Sequence, residues 1–276
     1  MNLSILLITA PLWLSFIPMS GFQADFADLF TGNGNQVGSV SAEIVRILIA
    51  LAMLTIVSVI DIKRRTVHDK VWIIFAIAGA LIYIFDFPNV REAVIIGISI
   101  GFAAGISFAT YRSGLFGGAD ALALITLSVI LPIYTSGSNI LHPIAPLTVL
   151  TNAAILSLLQ VPVNVGRNIS YIVTQKKGLF DEFNNETMAR KTLAFLLGYR
   201  TTRVSRFAFS MEKNDKGKKE FDFSIKNAEK EEFCMRTDTW VTSATPFLLY
   251  IAAGTFTMVL LGDLLKAIFF YNFSFS

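Results

Sequence analysis

The stretch ILIALAMLTIVSVIDIKRR, residues 47–65, decides the class of this chain. An uninterrupted apolar run ends in Asp61 and is followed at once by Lys63, Arg64 and Arg65. Such a run reads as a membrane span, and basic residues crowded at one end mark that end as cytoplasmic. The rest of the chain agrees. Of 276 residues, 54% are hydrophobic and 16% charged, with a mean hydropathy of +0.60. That composition lies outside the range of a soluble domain. A net charge of +3 is small for a nucleic-acid binder, and the basic residues gather by loop rather than along one helical face. One cysteine, Cys234, excludes an internal disulfide and a multi-cysteine zinc ribbon, and His68 and His142 add little toward a metal site.

Apolar runs at about 3–20, 43–61, 70–87, 92–111, 119–135, 143–166 and 242–265 predict seven membrane helices. Counting crossings from the cytoplasmic Lys63–Lys70 connection puts the N-terminus inside and the C-terminus outside, with the Arg112 turn inside and Thr135–His142 outside. The segment from Arg167 to about Trp240 then falls inside, and it carries 15 of the 23 Lys and Arg residues, which satisfies the same rule independently. The first run, lacking a basic flank, reads as a retained helix; a cleaved signal peptide is the alternative. Asn185 to Leu197 reads as a helix capped by Asn185 and ended by Gly198. Arg203–Ser210 and Glu220–Ile225 alternate aromatic with polar residues around Asn214-Asp215-Lys216-Gly217, which predicts a β-hairpin. The expected fold is an all-α polytopic membrane protein: a six-helix core, an extra N-terminal helix, and a small cytoplasmic α+β insertion before the last helix. The expected divisions are 1–42, 43–166, 167–240 and 241–276.

Ionisable residues at membrane depth are costly and so draw attention. Asp61 ends one span, and Asp120 opens another behind the turn Gly114-Leu115-Phe116-Gly117-Gly118-Ala119. Both fall on the cytoplasmic side. Two facing carboxylates, one ionised and one protonated, are the minimum equipment for hydrolysing a peptide bond without a metal. A helix N-terminus favours the Asp120 anion and a helix C-terminus disfavours that of Asp61, which makes Asp120 the base and Asp61 the acid. Gly117, Gly118 and Ala119 are candidates for binding substrate or positioning the loop. Read blandly, both aspartates are interfacial residues in polar loops. A small transporter or channel using intramembrane carboxylates is the competing function, and it predicts charges nearer the bilayer midplane. Asp263, near the outer end of the last span, reads as structural; Asp69 reads as a helix cap. Glu229, Glu231 and Glu232 read as a solvated acidic face. The many phenylalanines read as lipid contact and helix packing.

Three motifs carry a resemblance. Ser58-Val59-Ile60-Asp61-Ile62-Lys63-Arg64-Arg65, with Val67, Asp69 and Trp72, is similar to the first-aspartate motif of the archaeal preflagellin and prepilin peptidases. These are class III signal peptidases of the type IV prepilin peptidase group, membrane aspartic proteases with a GxGD signature. Gly114 to Leu122 resembles that signature, and Trp240-Val241-Thr242 with Pro246 and Gly262-Asp263 resembles the last helix of archaeal members. The resemblance implies that Asp61 and Asp120 are catalytic and that no cofactor is needed. It implies that the substrates are archaellin or pilin-like precursors, cut at the cytoplasmic face beside the membrane lipid. The second signature glycine is Ala119 here, which predicts an ordinary backbone conformation at that residue, since a left-handed alanine costs on the order of 1 kcal/mol. Bacterial relatives that also methylate the new N-terminus carry paired cysteine motifs; Cys234 alone implies a peptidase only.

Overall fold

The computed structural model describes residues 37–135, 139–176, 178–203, 207–215, 218–223, 233–243 and 245–270. The expected span at 3–20 and the acidic cluster Glu229–Glu232 lie outside them. The chain falls into two compact units, Met1–Val45 and Arg46–Ser276. Of the first, the described part is the opening of helix α1, Val37–Arg64.

The second unit is mostly helical. After α1 come α2 (Asp69–Phe85), α3 (Val90–Arg112), α4 (Gly118–Ile130), α5 (Ala145–Ser157), α6 (Gln160–Gln175) and α7 (Met188–Leu197). A short-stranded region follows, then α8 (Phe247–Leu261) and α9 (Leu264–Phe270). Among the described residues three helices are long and apolar enough to cross a membrane: Ala42–Arg64, Val90–Arg112 and the pair α5–α6, Ala145–Gln175. Helices α4 and α8 are apolar but shorter. At 1.5 Å per residue, the 13 residues of α4 reach about 20 Å of a ~30 Å core.

Local chemistry explains where these helices stop. Asn89 caps α3 through a reciprocal box with Glu92, each bond 3.0 Å, behind Pro88, which cannot continue the preceding helix. Helix α4 stops at Ile130, short of the expected 135, because Pro132 has no N–H to offer. Pro162 likewise interrupts the run expected as one span at 143–166, leaving Leu158 and Leu159 as a break between α5 and α6. Helix α6 then runs on to Gln175, well beyond the expected membrane end. His68, not Asp69, occupies the cap position of α2; its Nδ1 accepts from the Lys70 N–H at 3.5 Å.

Side chains from α1, α4, α5 and α8 meet in one core. Met53, Leu54, Val57, Leu127, Ile130, Val149, Ala153, Leu248, Ile251 and Met258 are buried in it. Between membrane helices such contacts stabilise by close packing more than by escape from water, so small residues matter. At Gly254 of α8 a Cβ would stand 2.7 Å from the Val149 carbonyl oxygen and 2.9 Å from the Ala153 nitrogen of α5. Only a glycine lets these two backbones approach so closely. Arg46, buried in α1, is satisfied by the Ile130 carbonyl at 3.3 Å and by the Tyr83 ring 4.0 Å away.

The insertion has its own core and sheet. Strands β1 (Tyr199–Thr201), β2 (Ala208–Ser210) and β5 (Thr239–Ser243) form an antiparallel sheet in the order β1-β5-β2, with Tyr199 opposite Val241 and Ala208 opposite Ser243. Strands β3 (Glu212–Asp215) and β4 (Lys218–Phe221) form the hairpin expected around Asn214–Gly217. Its first arm is Glu212–Asp215, however, and Ala208–Ser210 pairs with β5 instead. Helix α7 begins at Met188, with Thr187 as its cap. Asn185, expected as the cap, precedes it, and Glu186 accepts from the Phe221 N–H and the Arg190 side chain. Phe180, Phe183, Phe221 and Trp240 stack into this core, with Phe183 and Phe221 4.2 Å apart. Part of the phenylalanine content thus serves the insertion rather than lipid contact. Cys234 is buried beside the sheet as a free thiol.

Asparagines join the insertion to the membrane core. Asn168 of α6 donates to the carbonyls of Phe195 (3.0 Å) and Gly198 (2.9 Å), and accepts from the Arg200 N–H (3.0 Å). Asn164 donates to the Leu196 carbonyl at 3.1 Å. The last carbonyls of α7 would otherwise be orphaned.

Candidate active site

Asp61 sits in the last turn of α1 and is buried. The helix ends one turn later, where Arg65 donates its backbone N–H to the Asp61 carbonyl at 2.8 Å and adopts φ 58°. A left-handed residue commonly ends a helix, but the place usually goes to glycine, since any other residue costs about 1–2 kcal/mol there.

Asp120 sits in the first turn of α4 and is half-buried. The chain reaches it through the turn after α3, in which Gly114 takes φ 76°. Gly117 is the cap residue, and Gly118 and Ala119 are the first two residues of the helix. Ala119 is absent from the left-handed positions, so its backbone is ordinary, as expected. Asp120 Oδ2 accepts from the Gly117 N–H at 3.1 Å. The backbone N–H of Leu248, at the start of α8, donates to the same carboxylate.

The structure thus brings the sequence candidates together. Asp61 and Asp120 lie near enough for their charges to interact, and Arg65 lies within electrostatic reach of both. The start of α8 closes this end of the bundle. Ser58 Oγ, one turn before Asp61, donates to the Leu248 carbonyl at 3.3 Å, and the Phe247 ring stacks on Phe116 of the glycine turn at 4.9 Å. Leu248 and Phe247 escaped notice in the sequence because they look like ordinary apolar residues. Pro246 just before them, which starts the helix, was the available signal. Arg65 was counted toward membrane orientation and as one of the basic residues of the first-aspartate motif, with no role of its own.

Other candidates lie elsewhere. Asp263 is buried, and its Oδ1 accepts from the Leu265 and Lys266 N–H groups at 2.9 and 3.4 Å, capping α9. That is a structural task. Among the described residues no group of three or more His, Cys, Asp or Glu side chains is placed to hold a metal ion. A cavity of about 540 Å³ between the end of α1 and the start of α2 is walled by Val59, Ile60, Val67 and Val71 and edged by Lys63 and His68. Neither aspartate lines it, so it lies beside the pair rather than over it.

Comparison with known proteins gives this geometry a context. The model of the type IV leader peptidase family matches residues 48–161, a range that contains both aspartates and the glycine turn. The chain is also similar to a preflagellin peptidase of Methanococcus maripaludis (strain C6): 25% identical over 228 residues, covering 76% of this chain and 92% of that protein. Apolar spans, both aspartates and the glycine turn all fall within residues 48–161, the region over which the chain is similar to the type IV leader peptidase family.

Proposed function

We propose that Asp61 and Asp120 are the catalytic dyad of an endopeptidase that removes the short basic leader from archaellin or type IV pilin-like precursors at the cytoplasmic membrane face. The observation that supports this reading is that both aspartates lie at the end of the bundle where α8 starts, near enough for their charges to interact. A backbone N–H can only donate, so the Gly117 and Leu248 donors match an ionised Asp120. Asp120 then takes a proton from water, and the hydroxide formed attacks the scissile carbonyl carbon. Asp61, protonated, donates to the carbonyl oxygen as it becomes an oxyanion. Collapse of the tetrahedral intermediate breaks the C–N bond, and the proton taken from water passes to the leaving amine. Gly117, Gly118 and Ala119 position the loop and helix start that carry Asp120. No metal enters this scheme.

In the same reading, α1, α2, α3, α4, α5–α6 and α8 form a six-helix core, and residues 167–240 form the cytoplasmic insertion. The protein is then a multi-pass protein of the cell membrane whose partners are precursor proteins and lipid. The name of the Methanococcus relative favours archaellin as substrate. The test is conversion of an archaellin-like precursor to its mature form in membranes, read as a gel shift. Asp61→Asn and Asp120→Asn, expressed and inserted like the parent, are each expected to abolish it. Full processing by either would end the dyad assignment and favour the transporter alternative.

A further inference from the structure

Arg65 stands at a position where the backbone favours glycine. Its φ of 58° is one of three left-handed non-glycine conformations among the described residues, so its side chain must contribute something a glycine would not. That side chain leaves α1 toward the insertion, where its guanidinium lies 4.8 Å from the centre of the Phe207 ring, just before β2. Its Nε is buried with no hydrogen-bond partner, so that part of the guanidinium is held away from water. Phe207 is itself braced edge-on by Phe233, 5.2 Å away.

We propose that Arg65, held in place by Phe207 of the insertion, is a positioning residue that keeps the Asp61–Asp120 pair in its singly protonated, working state. The inference rests on the dyad reading given above. A pair of carboxylates sharing one proton carries one negative charge, and a single nearby guanidinium brings the cluster to neutrality. Among the described residues the charged groups that act on one another here are Asp61, Asp120 and Arg65. Helix α8 contributes the Leu248 N–H and the glycine turn the Gly117 N–H, both uncharged. Lys63 and Arg64 are exposed and line the neighbouring cavity. Without Arg65 the pair is favoured to take up a second proton, which removes the base. The insertion, which holds no carboxylate of the dyad, thereby acts on the chemistry through one aromatic ring.

The test is the pH profile of precursor cleavage in membranes. Arg65→Gly suits the left-handed backbone while removing the charge, and Arg65→Met removes the charge and keeps bulk. Both are expected to move the acid limb of the profile upward by about one pH unit, the size of effect a nearby charge exerts on a carboxylate. Arg65→Lys is expected to keep the limb in place, and Phe207→Leu to move it in the same direction by less. An unmoved limb in both Arg65→Gly and Arg65→Met would overturn the proposal, even if the rate fell. Asp61→Asn and Asp120→Asn run in parallel: if either cleaves, the dyad reading fails, whereas inactive aspartate variants with an unmoved Arg65 limb fail this inference alone.

Discussion

The Gly117 N–H donates to Asp120 Oδ2 at 3.1 Å, so the carboxylate at the third position of α4 caps the helix that carries it. One side chain thus fixes the turn and also receives the Leu248 N–H from the start of α8. Catalytic candidate and local fold share a residue.

Gly114 and Ala119 are expected to respond in opposite ways. Gly114→Ala places a Cβ at φ 76°, costing about 1–2 kcal/mol and disturbing the turn that carries Asp120, so cleavage falls. Ala119→Gly, at a helical position, costs about 0.5–1 kcal/mol of stability and leaves cleavage near the parent level. Paired melting curves and processing assays in detergent-solubilised protein check both.

Because the two dyad roles are coupled, the Asp61→Asn, Asp120→Asn double variant is expected to be no slower than either single variant. Residual rates measured over long incubations decide this. A double variant slower by the product of the two single losses would mean that the aspartates act independently.

Asn168→Leu leaves the Phe195 and Gly198 carbonyls and the Arg200 N–H without their partner. At about 1–3 kcal/mol for each buried group left unpaired, the insertion is expected to loosen markedly. Limited proteolysis in inverted vesicles is expected to cut the 178–240 region faster than in the parent. An unchanged cutting rate would show that the asparagine is not what ties the insertion to α6.

The insertion also carries a pH signature. A hydrogen bond from Lys219, then one from Arg200, holds the Glu182 carboxyl below its ordinary value near 4.5, and Glu182 in turn holds the Lys219 ammonium above 10.5. The Glu182 contribution is therefore present above pH 4.5 and lost as the pH falls through the depressed value. That of Lys219 is present below pH 10.5 and lost as the pH rises through the raised value. Glu182→Gln is expected to lower the melting temperature modestly at pH 7 and to converge with the parent in acid. The effect is small because the groups are substantially exposed.

Both aspartates, the glycine turn and the backbone of Ala119 were legible because each depends on residues adjacent in sequence. So was the hairpin turn at Asn214–Gly217, whose tight connection is local chemistry. The pairing of β2 with β5 was not legible, because Ala208 and Ser243 meet across a long excursion of chain and neither carries a register signal. The extension of α6 to Gln175 escaped for a related reason. Asn164 and Asn168 look like the end of an apolar span, and their burial is evident only once α7 presents its carbonyls to them. Arg65 read as one more basic flank, since a left-handed backbone leaves no mark on the residue that adopts it.

Glycine 254 has a mechanical consequence. A contact made by side chains can yield through one rotamer at a time, whereas main chain set against main chain can yield only if a whole rod slides or tilts. With Gly254 seated against Val149 and Ala153, α5 and α8 act as a single beam, and Leu248 at its end is a fixed anvil for the Asp120 carboxylate. Any travel that opens this end of the bundle must then come from the other side, from α1 with Asp61 and from the glycine turn.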